Sequence, residues 1–76
     1  MSFLVVRYPK GDDYADSSTD VTAVGAEAFG ELLGMPPEQL ADMYALTQEH
    51  AERVRQLTGI ELDLETYDYF LETEAD

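Results

Sequence analysis

Cysteine is absent from this sequence of 76 residues. That removes disulfides, thiolate metal sites and a cysteine nucleophile together, and it fits a reducing compartment. Histidine occurs once, as His50. No glycine-rich phosphate loop is present. Bases are scarce: Lys10, Arg7, Arg53 and Arg55 are the whole set. Long apolar runs are missing as well. The N-terminal run Phe3-Leu4-Val5-Val6 is too short for a signal sequence and far too short to cross a bilayer. The expectation is a mature cytoplasmic chain.

What the sequence has in excess is acid. Seventeen Asp and Glu give a net charge of −13. Such a field repels nucleic acid and anionic membranes and attracts basic partners. Three readings follow: general solubility or adaptation to high salt, an acidic face matched to a basic protein, and, within the second, imitation of DNA phosphates.

The length allows one domain, 1–76. A domain of this size buries only about 60% of the surface its unfolded chain exposes. Hydrophobic residues make up 45% of the chain, enough for a packed core. Phe3 to Tyr8 is β-branched and aromatic and reads as a strand ending at Pro9. Residues 10–19 are turn-forming and acidic and read as a loop, and Asp20 reads as a helix-capping or pre-helical residue. Val21, Val24, Ala28, Phe29, Leu32 and Leu33 share one helical face. Gly25 weakens its start, so the helix is expected from about Ala26. Gly34 and Pro36-Pro37 end it. Pro37 to Ala41 allows one short turn. Met43 to Leu46 is extended, and Thr47 caps a second helix with the stripe Ala51, Val54 and Leu57, stopped by Gly59. Ile60, Leu62 and Leu64 alternate with acids, and Tyr67, Tyr69 and Leu71 alternate again after a break at 65–66. Both stretches have the period of a strand. Glu74-Ala75-Asp76 reads as a frayed tail. The expected fold is α+β: a small, mostly antiparallel sheet of about three strands with two helices packed on one face.

A catalytic centre needs convergent groups. Ser17 or Ser18 with His50 and an acid lacks any nucleophile-elbow context, and His50 is expected to face solvent in the first turn of its helix. Carboxylates are too abundant for any pair to stand out. Asp12, Asp13 and Asp16 lack the glycine and closing glutamate of a calcium loop. Arg53 and Arg55, two apart on a helix, do not share a face. No enzyme activity, metal or cofactor is expected.

The candidate site is therefore a docking surface. Residues 61–76 carry seven acids and no base. On a strand, Glu61, Asp63 and Glu65 would line one side opposite Leu62 and Leu64. Asp68 and Glu72 add further carboxylates. Tyr67 and Tyr69 share one strand face, which either packs beneath a helix or stands exposed as an aromatic anchor within an acidic rim. Phe3, Phe29 and Phe70 are expected in or near the core. The loop acids Asp12, Asp13 and Asp16 form a second candidate patch.

Tyr44-Ala45-Leu46-Thr47, Leu57-Thr58-Gly59-Ile60 and Tyr67-Asp68-Tyr69-Phe70-Leu71 resemble segments of a family of small, acidic, uncharacterised bacterial proteins thought to be immunity proteins of polymorphic toxin systems. The resemblance covers roughly the last third of the chain, with a looser match in the first strand. It supplies no catalytic residues. It implies a cytoplasmic protein that binds and blocks a cognate toxin domain. A basic toxin cleft would suit an acidic plug. Alternatives are a phage or plasmid DNA mimic that inhibits a nucleic-acid-binding protein, and a general acidic adaptor.

Overall fold

The computed structural model describes residues 1–75. Four strands and two helices follow in the order β1 (Ser2–Pro9), β2 (Ser17–Asp20), α1 (Ala26–Leu33), β3 (Met43–Leu46), α2 (Gln48–Thr58) and β4 (Tyr67–Glu74), with short 3-10 turns at Thr22–Val24 and Pro37–Gln39. The strands form one sheet in the order β2-β1-β4-β3. Every neighbouring pair is antiparallel. The chain is thus α+β, as its patterning predicts, with one strand more than expected.

That extra strand is β2, which the sequence presents as part of an acidic loop. It pairs along β1 from Leu4–Asp20 to Arg7–Ser17. All four of its residues are exposed. An exposed edge strand has no buried face, so it carries none of the apolar alternation by which strands are recognised. Backbone bonds close the hairpin, with the Asp16 N–H donating to the Arg7 carbonyl at 2.9 Å, and a side-chain pairing reinforces it. Arg7 donates from Nε and Nη2 to the two oxygens of Asp16 at 2.8 and 3.1 Å, a bidentate, charge-assisted pairing. At its far end Asp20 accepts from the Thr22 backbone N–H at 2.8 Å. It therefore serves as the predicted pre-helical residue, although it turns the chain into a 3-10 turn.

The reverse happens at Ile60–Leu64. The alternation is real, since Leu62 and Leu64 are half-buried and Glu61, Asp63 and Glu65 are exposed. The segment joins no strand pairing. It runs as a strap from α2 to β4, and Ile60, Leu62 and Leu64 pack against the core. A turn at its end returns the chain to the sheet: the N–H groups of Thr66 and Tyr67 both donate to the Asp63 carbonyl.

The two helices match expectation closely. Gly25, at φ 94, separates the Thr22–Val24 turn from α1. Gly34 and Gly59 end α1 and α2 in the left-handed conformation that favours glycine. Phe29 of α1 and Val54 of α2 meet Phe3, Val5, Tyr69 and Leu71 of the two central strands in one core. Both helices therefore cover the same face of the sheet. Tyr69 lies in this core with 5% of its surface accessible. No described helix is long and apolar enough to cross a membrane. Asp76, in the predicted frayed tail, lies outside the described residues.

Candidate functional site

Strand period decides which side chains share a face. The face beneath the helices takes Phe3, Val5 and Arg7 from β1, Tyr67, Tyr69 and Leu71 from β4, and Tyr44 and Leu46 from β3, as the pairings Val5–Leu71, Arg7–Tyr69 and Leu46–Tyr69 require. The opposite face takes Leu4, Val6 and Tyr8, then Asp68, Phe70 and Glu72, then Met43 and Ala45. No helix covers that second face.

The residues singled out in the sequence are thereby divided. Tyr67 and Tyr69 do share a face, but it is the covered one. Tyr69 is buried, and its hydroxyl accepts from the Asp63 N–H at 3.3 Å. Tyr67 is half-buried at the margin of this layer. Its ring meets that of Tyr69 edge-on at 6.2 Å between centroids, and the Arg7 guanidinium sits 4.1 Å from its centroid. Stacked there and paired with Asp16, Arg7 has its pKa raised, chiefly by the Asp16 hydrogen bond. Glu61, Asp63 and Glu65 lie on the strap rather than on a strand. Asp68 and Glu72 lie on the uncovered face. Asp12, Asp13 and Asp16 remain in the β1–β2 loop, where Asp12 accepts from the Tyr14 N–H at 3.0 Å and Asp16 is held by Arg7.

The uncovered face is the feature that sequence reasoning missed. Phe70, expected in or near the core, is half-buried on it. Tyr8 packs edge-on against Phe70, with ring centroids 5.5 Å apart. Tyr8 donates to Glu72 Oε2 at 3.0 Å. That bond, with burial and the nearby negative charge, raises the Tyr8 pKa. Lys10 reaches across to Asp68 at 3.0 Å. Val6 is 5% exposed here without belonging to the helix-side core; Phe70 and Ser18 flank it in the pairing. Met43 is 44% exposed. The result is an apolar floor of Leu4, Val6, Tyr8, Phe70 and Met43 with Glu72 set between Leu4 and Met43, Asp68 beside Tyr8, and Asp20 and Glu74 at its margin. Alternation in β4 contained the signal, because Asp68, Phe70 and Glu72 must point away from Tyr67, Tyr69 and Leu71.

Among the described residues no group of three or more His, Cys, Asp or Glu side chains is placed to hold a metal ion. His50 is half-buried and turned back on its own helix, where Nδ1 accepts from the Thr47 N–H at 3.0 Å. An accepting Nδ1 places the proton of a neutral ring on Nε2. Arg53 donates to Gln56 at 3.2 Å. Open depressions lie on the surface of the described residues. One of about 490 Å³ lies beside α1 between Glu27, Glu31, Met35 and Pro37. Another, about 270 Å³, lies at the end of the sheet among Lys10, Ala45, Thr47, Leu64, Asp68 and Phe70. The first is lined by the Glu27 and Glu31 carboxylates and by apolar groups.

The model of a family described as a domain of unknown function (DUF7683) matches residues 3–72, and the chain belongs to that family. No curated protein and no solved structure matches the chain.

Proposed function

We propose that this member of the DUF7683 family is a binding protein that docks a basic protein on its uncovered sheet face, acting as the immunity protein of a toxin. One observation carries the reading: both helices pack on one side of the sheet, so the other side leaves half-buried Leu4, Tyr8 and Phe70 and exposed Met43 interspersed with carboxylates. Apolar area left among polar groups in this way marks interaction surfaces. Phe70, Tyr8 and Met43 are residue types enriched at interface centres. These carboxylates and the charge of −13 select a basic partner. Steering by such a field raises encounter rates by roughly 10–1,000-fold and weakens with added salt. The apolar floor then governs how long the complex lasts.

The immunity role rests on the resemblance of the segments around Tyr44, Leu57 and Tyr67, and on the fit between an acidic plug and a toxin cleft built for nucleic acid. The test is growth rescue. The product of the gene adjoining this one is expressed in a sensitive host, with and without this chain. The reading expects a toxic product whose effect the wild-type chain relieves. The double variant Met43→Lys, Phe70→Lys, with folding verified by circular dichroism, should relieve it poorly. If no adjoining product is both toxic and relieved, the immunity role fails. If the double variant protects as well as wild type, the uncovered face is not the docking surface.

A further inference from the structure

We propose that the free edge of β3 receives an extended, basic segment of the partner as a fifth strand. This rests on the reading that the chain binds a basic protein, and it specifies the mode of docking.

The ladder fixes what that edge offers. The Thr73 N–H donates to the Asp42 carbonyl at 3.0 Å. In an antiparallel pair, hydrogen-bonded and non-bonded positions alternate. Asp42–Thr73 is therefore a bonded position, and so are Tyr44–Leu71 and Leu46–Tyr69. Met43–Glu72 and Ala45–Phe70 fall at the non-bonded positions between them. The N–H and C=O groups of Met43 and Ala45 consequently point away from β4. They have no hydrogen-bond partner among the described residues. Both residues are exposed. Four backbone groups thus stand in the spacing that an added strand would use.

The two edges of the sheet are guarded differently. β2 carries Asp20 and three hydroxyl side chains. β3, Met-Tyr-Ala-Leu, carries no charge and no proline, the usual devices against pairing with another chain. Its protection from self-pairing is electrostatic: each copy carries −13, and Asp42 immediately precedes the strand. Charge that repels a second copy attracts a segment rich in Lys and Arg. Strand addition draws its affinity from backbone bonds and its selectivity from alternate side chains. Alternate residues of the added strand would continue the uncovered face beside Met43 and Ala45, in the same row as Glu72 of β4.

The experiment uses the full chain, labelled for amide NMR, at moderate salt. The probe is a short peptide of alternating Lys and Val. A second peptide is identical but N-methylated at alternate residues, so that it keeps its charge and loses one bonding edge. Strand addition is expected to slow amide exchange at Met43 and Ala45 and leave Tyr44 and Leu46, already in the ladder, unchanged. Methylation on the pairing edge should weaken binding about tenfold, the loss of about two hydrogen bonds. Shifts at Tyr8 and Phe70 without slowed exchange at Met43 and Ala45 would overturn strand addition while leaving docking on the uncovered face intact. Equal binding of the two peptides, or no binding by either, would also overturn it. Growth rescue decides the binding role independently of these outcomes.

Discussion

Tyr8 shows how one hydroxyl couples stability to pH. It donates to the Glu72 carboxylate at 3.0 Å, and only the neutral phenol can do so. Its pKa is raised above the ordinary 10.0, first by that hydrogen bond, then by burial and the charge of Glu72. A group whose folded pKa is raised stabilises fully below its unfolded pKa and loses that contribution as pH rises through the folded value. Urea midpoints between roughly pH 9 and pH 11 should fall more steeply for wild type than for Tyr8→Phe. Parallel curves would show that the bond contributes nothing in solution. The tyrosine pair is settled residue by residue in the same way. Their two-residue spacing gives a shared face, but only the helices overhead make it the inner one. Tyr69 is therefore a core ring, whereas Tyr8 and Phe70 lie half-buried on the uncovered face.

Among the elements, α1 offers a test in which the sign decides. Gly30 is buried in the middle of the helix. Helix propensity alone says that Gly30→Ala should stabilise by about 1 kcal/mol. Packing says otherwise, because a Cβ there would lie 2.8 Å from the Met35 carbonyl oxygen and 3.3 Å from the Pro37 nitrogen. Both atoms belong to backbone that turns tightly against the helix, with the Met35 N–H donating to the Gly30 carbonyl at 3.0 Å. Gly30→Ala should therefore destabilise by about 1–3 kcal/mol, as overpacking commonly does, measured by urea unfolding. A gain in stability would mean that the turn shifts at no cost. Elements also mark where local pattern misleads. Residues 60–64 have the period of a strand, but they lie outside the sheet and pack Leu62 and Leu64 against the core. The segment keeps its alternation while gaining no ladder. β2 has a ladder and no alternation.

Across the protein as a whole, charge sets the response to salt. Seventeen acids face four bases. The ion pairs Arg7–Asp16 and Lys10–Asp68 are both partly exposed, with side-chain accessibilities from 34 to 49%. Pairs of that kind contribute roughly 0–1 kcal/mol each. Repulsion among the remaining carboxylates should outweigh them. Screening acts over about 10 Å at 0.1 M salt, so the urea midpoint should rise from low to moderate sodium chloride. A falling midpoint would mean that the attractive pairs dominate. The charge is spread over helices, strap and loops as well as the uncovered sheet face, where Asp20, Asp68, Glu72 and Glu74 lie.

Residue order alone specifies the α+β class, both helices with their glycine ends, and the strands at the N-terminus, at Met43–Leu46 and from Tyr67. Each of these has a buried stripe or face, and burial writes its period into the order of residues. The acidity was equally legible from composition. Packing in three dimensions settled the rest. It recruited Ser17–Asp20 as a strand, because backbone pairing along an exposed edge requires no apolar residue. It kept Glu61–Glu65 out of the sheet and laid Leu62 and Leu64 of that strap against the core instead. It placed Phe70 and Tyr8 on the uncovered face and Tyr69 inside, because a strand's alternation separates two faces without naming which one the helices will cover. That choice depends on contacts such as Phe29 with Phe3, between residues far apart in the chain, where no local period reaches.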